Sequence, residues 1–180
     1  MKLFSVLIYN MLRIFLMKLR HGNRACLYWI QRISPFCALH LYGKGNLRIG
    51  KNCQFEVGCD LQTHGTGRLT IGHRVYMNRY CMVSAHGSVD IGDNCIFGPG
   101  VKIFDNNHQF DSKIGVGTRL SVGSVKIGRN CWLGSNTIIL KGADIGDNCV
   151  VGAGCIIKES IPSGCLVRPY INNSIEIIRS

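Results

Sequence analysis

The 180-residue sequence predicts an all-β solenoid: a parallel β-helix of hexapeptide repeats wound as a triangular prism, with an N-terminal helical extension and one long inserted loop. Three observations carry that expectation. From Ile91 to His108 the chain divides into IGDNCI, FGPGVK and IFDNNH, each block opening on an aliphatic or aromatic residue and holding a small or compact one in fifth place. Five blocks share one opening, at Ile49-Gly50-Lys51-Asn52-Cys53, Ile71-Gly72-His73-Arg74-Val75, Ile91-Gly92-Asp93-Asn94-Cys95, Ile127-Gly128-Arg129-Asn130-Cys131 and Ile145-Gly146-Asp147-Asn148-Cys149. Finally, Cys53, Cys59, Cys81, Cys95, Cys131, Cys149 and Cys155 all occupy the fifth place, where a narrow interior accepts only a small side chain.

Such repetition means coils that each bury little alone and are stable only when stacked. About three hexapeptides make one coil, with a flat strand per face and glycine or asparagine allowing each corner. Stacking at about 4.8 Å aligns the first residues as a continuous apolar stripe. The shared openings lie 22, 20, 36 and 18 residues apart, so the third interval holds a large insertion, residues 109–124, directly after His108. Long loops in compact solenoids are commonly functional.

Residues 1–20 are apolar with Lys2, Arg13, Lys18 and Arg20 interspersed. Arg13 interrupts any membrane span, and no small-residue cleavage site follows. Two readings fit: a helix lying on the inner membrane face with its bases toward anionic headgroups, or a helix packed on its own domain or a neighbouring subunit. The predicted divisions are 1–45, helical and apolar or basic, with residues 21–45 a second short helical or irregular segment; 46–162, the β-helix; and 163–180, a tail.

A formal net charge of +11 points to an anionic partner, such as a phosphorylated cofactor or a membrane surface. Nucleic acid fits poorly, since there is no zinc knuckle, no RNA-binding aromatic signature and no compact basic helix. The ten cysteines are read as small hydrophobes rather than a disulfide framework, which implies a reducing, cytoplasmic compartment. No paired CxxC motif suggests zinc. His64 and His86, fifteen residues after Ile49 and Ile71, are expected to stack one coil apart, lining a corner or, less readily, holding a metal.

IGDNCIFGPGVKIFDNNH and VKIGRNCWLGSNTIILKGADIGDNCVVGAGCIIKESIP resemble the left-handed β-helix hexapeptide acyltransferases, and among them the galactoside, maltose, nodulation and surface-polysaccharide O-acetyltransferases, over roughly residues 49–162. The resemblance implies a left-handed prism, an acetyl-CoA donor, no required metal, a homotrimer with sites between adjacent prisms, and a saccharide acceptor. It makes His108 the general base: a sugar hydroxyl becomes a competent nucleophile when an imidazole, titrating near about pH 6.5, takes its proton. Asp105 and Asp111 flank it, and either could orient the ring or meet acceptor hydroxyls. Asn78 matches an acceptor-contacting asparagine; the acidic residue that follows it in those enzymes falls here at Ala85 or His86, so the acceptor pocket differs, with His86 on its rim. Trp132, Gly134 and Ser135, with Ala153 and Gly154 one coil on, match the stretch that meets the pantetheine arm. Lys158, Arg168 and Arg179 are candidates for the cofactor phosphates. The reading is an acetyl-CoA-dependent O-acetyltransferase on a saccharide of surface polysaccharide assembly, with a free, nucleotide-linked or lipid-linked acceptor. Rivals are an N-acetyltransferase on an amino-sugar nucleotide, a serine acetyltransferase, and a γ-carbonic-anhydrase-like metalloprotein or non-catalytic solenoid scaffold.

Overall fold

The structure is a computed structural model and describes residues 3–169. From Ala25 to Val167 the chain winds as a left-handed prism with three parallel sheets as its faces. Face A stacks seven strands from Ala25–Leu27 to Ser160–Ile161, face B seven from Arg32–Ile33 to Leu166–Val167, and face C six from Ala38–Leu41 to Ile156–Ile157. Successive coils stack in register. Ile49, Ile71, Ile91 and Ile127 pair as one file on face A, and Phe55, Met77, Phe97 and Leu133 as another on face B. All eight are buried, and each fully buried aliphatic or aromatic side chain contributes about 1.5–3 kcal/mol.

The repeat letters have separate physical duties at the corners. The asparagines in fourth place, Asn52, Asn94, Asn130 and Asn148, take left-handed backbone with φ of 57–60°, which asparagine tolerates better than most residues. Their amides also link the coils: Asn94 Nδ2 donates to Asn130 Oδ1 at 2.8 Å, and Asn130 Nδ2 to Asn148 Oδ1 at 2.9 Å. Glycine in second place is demanded by close approach, since a Cβ on Gly92 would lie 2.7 Å from the Gly128 carbonyl of the next coil. The fifth-place cysteines point inward and are unpaired. Those at 53, 59, 81, 95, 131 and 149 donate Sγ–H to a carbonyl of the following coil, at 3.0–3.3 Å. Burial pushes the Cys53 thiol up to about 11, so it stays a protonated donor.

The N-terminal boundary differs from expectation. Residues 21–45 hold no second α-helix: after a 3-10 turn at Gly22–Arg24 they form a full first coil, with strands Ala25–Leu27, Arg32–Ile33 and Ala38–Leu41. The coil lacks the Ile-Gly-x-Asn-Cys opening because Gln31 does the work of the corner cysteine. Fully buried, it donates to the Gly50 carbonyl at 2.7 Å and accepts Cys53 N–H at 3.0 Å. Helix α1, Leu3–His21, lies across the open end of this coil. Its buried Asn10 donates to the Ile33 carbonyl at 2.8 Å, Ile14 enters the core, and Arg13 donates to the Cys37 carbonyl at 2.7 Å. The helix therefore packs on its own domain by one face only. At the other end the coils pass the expected limit of residue 162, because Leu166–Val167 pairs with Val150–Val151.

The insertion is a hairpin of two antiparallel strands, Asn106–Asp111 and Gly115–Val122. It starts three residues earlier than expected, so His108 stands inside it, and Ser124 already belongs to face A.

Gly92→Ala forces the fourth and fifth coils apart, and we expect it to destabilise the protein by about 1–3 kcal/mol. Urea unfolding of the variant, read as a lower midpoint at unchanged slope, checks this.

Candidate active site

The hairpin leaves the prism at the corner between faces C and A, and its root is built around Asp105. Inward positions along this edge of face C run Leu41, Thr63, Ala85 and then Asp105. Asp105 is 0% exposed, and its oxygens are engaged: Oδ1 accepts His86 N–H and Oδ2 accepts Gly87 N–H, both at 2.8 Å, with Asn106 Nδ2 at 3.2 Å from Oδ1. Its own carbonyl accepts Gly123 N–H at 2.8 Å, closing the hairpin. Asp105 is thus a positioning residue within the wall and does not present its carboxylate to an acceptor, contrary to the expectation that it meets substrate hydroxyls or orients the imidazole. Its position after the inward Ile103 turns it into the prism.

His108 is exposed and pairs with Leu120, and the register shifts between His108 and Phe110. Such bulges re-aim side chains. His108 Nδ1 lies 3.3 Å from the Gly117 carbonyl oxygen. A carbonyl can only accept, so in the neutral ring this contact favours the proton on Nδ1 and leaves Nε2 as the acceptor nitrogen, the tautomer a base requires. A second tie holds the hairpin to the next coil: Lys141 Nζ donates to Ser121 Oγ at 2.6 Å.

Below the hairpin root, aromatic rings stack up the same corner. His64 and His86 lie face to face at 4.3 Å with 4° between planes, as their equal offsets predict, and Tyr42 continues the column at 4.8 Å from His64. Parallel rings direct their nitrogens side by side rather than toward one common point, which favours a corner lining over a metal site. Burial, then the neighbouring His86, hold the His64 imidazole below its ordinary pKa, and Nε2 lies 3.0 Å from Gln62 Oε1. Sequence reasoning missed Tyr42, yet the signal was present: Tyr42, His64 and His86 follow at intervals of 22 residues.

The remaining candidates gather on a different edge, the corner between faces B and C. Trp132 stands on the outer side of face B, 54% exposed, with Ile96 and Val150 as its strand neighbours. Gly134 and Ser135 turn that corner, and Ala153 and Gly154 turn it one coil on. The two turns are in contact: Gly154 N–H donates to the Ser135 carbonyl at 2.9 Å, and a Cβ on Gly134 would collide with Ala153 backbone. Ala153 and Gly154 are exposed, so the corner after Trp132 presents small side chains and backbone. Asn78 lies on this same corner two coils below Ser135, its Oδ1 accepting Arg79 N–H at 2.8 Å. Lys158, grouped with the cofactor residues by sequence, is instead exposed at the C–A corner, because it follows the face C strand Ile156–Ile157. Arg168 ends the last described turn, and Arg179 lies outside the described residues.

The candidate residues therefore lie on two separate edges of one chain: His86, Asp105, His108 and Lys158 at C–A, and Asn78, Trp132, Gly134, Ser135, Ala153 and Gly154 at B–C.

Comparison with known proteins adds to this geometry. Residues 124–159 match the bacterial transferase hexapeptide (six repeats) family. The chain is 36% identical over 75 residues to galactoside O-acetyltransferase of Escherichia coli K12, covering 42% of this chain and 37% of that enzyme. It is 33% identical over 91 residues to galactoside O-acetyltransferase of Lactococcus lactis, covering 47% and 44%. The matched stretches span less than half the length of these relatives. In fold it is similar to AntD, an N-acyltransferase from Bacillus cereus solved with dTDP and coenzyme A, with a TM-score of 0.67 at 21% identity over 81% of this chain and 80% of that one.

Removing the Asp105 carboxylate strands two backbone donors at the hairpin root. Hydrogen bonds to a charged acceptor are worth about 1.5–3 kcal/mol each, so Asp105→Ala should lose about 3 kcal/mol or more. Asp105→Asn, keeping one carbonyl acceptor, should recover part of it; denaturant titration of both variants measures the difference.

Proposed function

We propose that this chain, a hexapeptide-repeat protein of the sugar acetyltransferase family, transfers an acetyl group from acetyl-CoA to a saccharide hydroxyl. The observation that carries the reading is the presentation of His108 on the bulged hairpin strand, with Nδ1 turned to the Gly117 carbonyl and Nε2 left as the acceptor nitrogen a base requires. His108 Nε2 takes the hydroxyl proton as the oxygen attacks the thioester carbonyl carbon, and backbone N–H groups near the hairpin hold the tetrahedral oxyanion. Collapse breaks the carbon–sulfur bond, and the imidazolium returns its proton to the departing thiolate. The products are the O-acetyl sugar and free CoA.

The B–C corner suits the pantetheine arm, since Gly134, Ser135, Ala153 and Gly154 let an extended chain lie on backbone, with the exposed Trp132 on the strand before it. Because the base and this corner sit on different edges of one prism, we place each complete site between two chains of a homotrimer, the C–A corner of one facing the B–C corner of the next. Lys158 then accompanies His108 rather than the B–C corner of its own chain, with its charge available to a cofactor phosphate. The acceptor is proposed to be a sugar of surface polysaccharide assembly, lipid-linked and handled at the cytoplasmic face of the membrane, in keeping with the unpaired cysteines and the basic N-terminus, whose residues 1–20 would contact that membrane.

Calorimetry of acetyl-CoA binding and thiol release with and without a saccharide acceptor test the reaction. His108→Ala should bind acetyl-CoA as the wild type does and release thiol at least about a hundredfold more slowly. Absence of binding by the wild type would refute the reading, and an amino sugar outpacing every hydroxyl acceptor would move the chemistry to N-acylation.

Shared sites give a further expectation. Co-expression of His108→Ala with Ala153→Trp, each inactive alone, should restore about a quarter of wild-type activity, because one site in four draws both intact halves from random mixing. Activity that stays at background would place both halves in a single chain.

A further inference from the structure

We infer that α1 and the first coil form a docking surface for an anionic lipid bilayer, with the helix lying in the plane of the membrane. The inference deepens the membrane contact proposed above, is independent of the acyl-transfer chemistry, and rests on what the structure leaves uncovered at the N-terminal end of the prism.

Asn10, Ile14 and Met17 turn α1 toward the first coil. At about 100° per residue, the opposite arc runs from Met11 through Leu19 to Tyr9 and spans about 160°. It exposes eight large apolar side chains, among them Leu19 at 75%, Phe4 at 73% and Leu12 at 58%, and only Ser5 interrupts it. A packed helix normally turns its polar side to water, so this arrangement is inverted. Among the described residues no helix is long and apolar enough to cross a membrane, so the arc has the character of an in-plane helix rather than a span.

Charge selects the occupant. Lys18 borders the arc on one side and the exposed Arg20 on the other, where long basic side chains reach headgroups while their stems lie on apolar surface; Arg13 is turned to the Cys37 carbonyl. Nine of the 21 lysines and arginines, and none of the ten aspartates and glutamates, fall in residues 1–55; the rest of the chain has twelve bases against ten acids. The excess positive charge is thus concentrated at this one end. A second copy presenting the same face would bring like charges together, whereas a lipid surface of negative charge complements them. The first coil adds the side chains that favour an interface between water and lipid: Trp29 and Tyr28 are about half exposed, with Lys18 Nζ 4.4 Å from the Trp29 ring centre, and Phe36 is 77% exposed at another corner.

The test is flotation of the full-length protein with vesicles of phosphatidylcholine alone and of phosphatidylcholine with phosphatidylglycerol, at low and high salt. We expect the wild type to float with the anionic vesicles and to be displaced by salt. Ile8→Glu/Leu12→Glu, which alters only outward positions, should reduce the bound fraction by about tenfold, and Lys18→Gln/Arg20→Gln should remove the preference for anionic over neutral vesicles. Circular dichroism and acetyl-CoA binding, measured in parallel, report separately on the fold and on the transferase reading. Equal flotation of the Ile8→Glu/Leu12→Glu variant would overturn the proposal. So would a wild type that stays with the soluble fraction, and if light scattering then finds a smaller assembly for the variant, the face is a contact between copies.

Discussion

Everything in this molecule depends on the spacing between coils, set by backbone hydrogen bonds that run from one strand to the next along each face. At that separation a side chain at a corner either fits beneath the next coil or prevents stacking. Glycine in second place lets carbonyl and backbone pass at contact distance, as Gly92 under Gly128 demonstrates. Cysteine in fifth place is small enough to enter the prism and supplies a thiol hydrogen to a carbonyl otherwise short of a partner. Asparagine in fourth place takes the left-handed turn and joins its amide to the asparagine above. Three demands of one geometry thus explain a composition rich in glycine, asparagine and unpaired cysteine.

The same constraint explains how a protruding hairpin can leave so regular a body. A hairpin can emerge only where the coil below and the coil above still find their hydrogen bonds. Asp105 supplies acceptors to the coil below, Gly123 resumes the stack, and Lys141 ties Ser121 to the coil above. His108 is then carried clear of the prism by strands that need no contribution from the core. Rigidity at the root and exposure at the imidazole are both consequences of the way the insertion is closed.

Separation of the two candidate clusters has an equally simple cause. Successive corners of a triangular coil point in different directions, so residues one face apart in sequence diverge in space, while residues one coil apart converge. Ser135 and Ala153 come together for the second reason, and His108 stands away from them for the first.

Local pattern by itself determined the coil, because period six reports which residues can face a narrow interior, and it placed the five shared openings, the buried cysteines and the stacked His64 and His86. It could not reveal the first coil, where Gln31 replaces the repeat's cysteine, since the substitution makes sense only once Gly50 and Cys53 are seen to be its partners. It also misjudged Asp105, because an acidic residue before a polar loop is ordinarily solvated, and only the fold shows it turned inward beneath His86 and Gly87. The inverted helix α1 was ambiguous for the same reason: its sequence is apolar on nearly every side, and which face stays uncovered is settled by where the open end of the prism lies. Repetition is a local property and survives in the string of residues; partnership between distant residues exists only when the chain has folded.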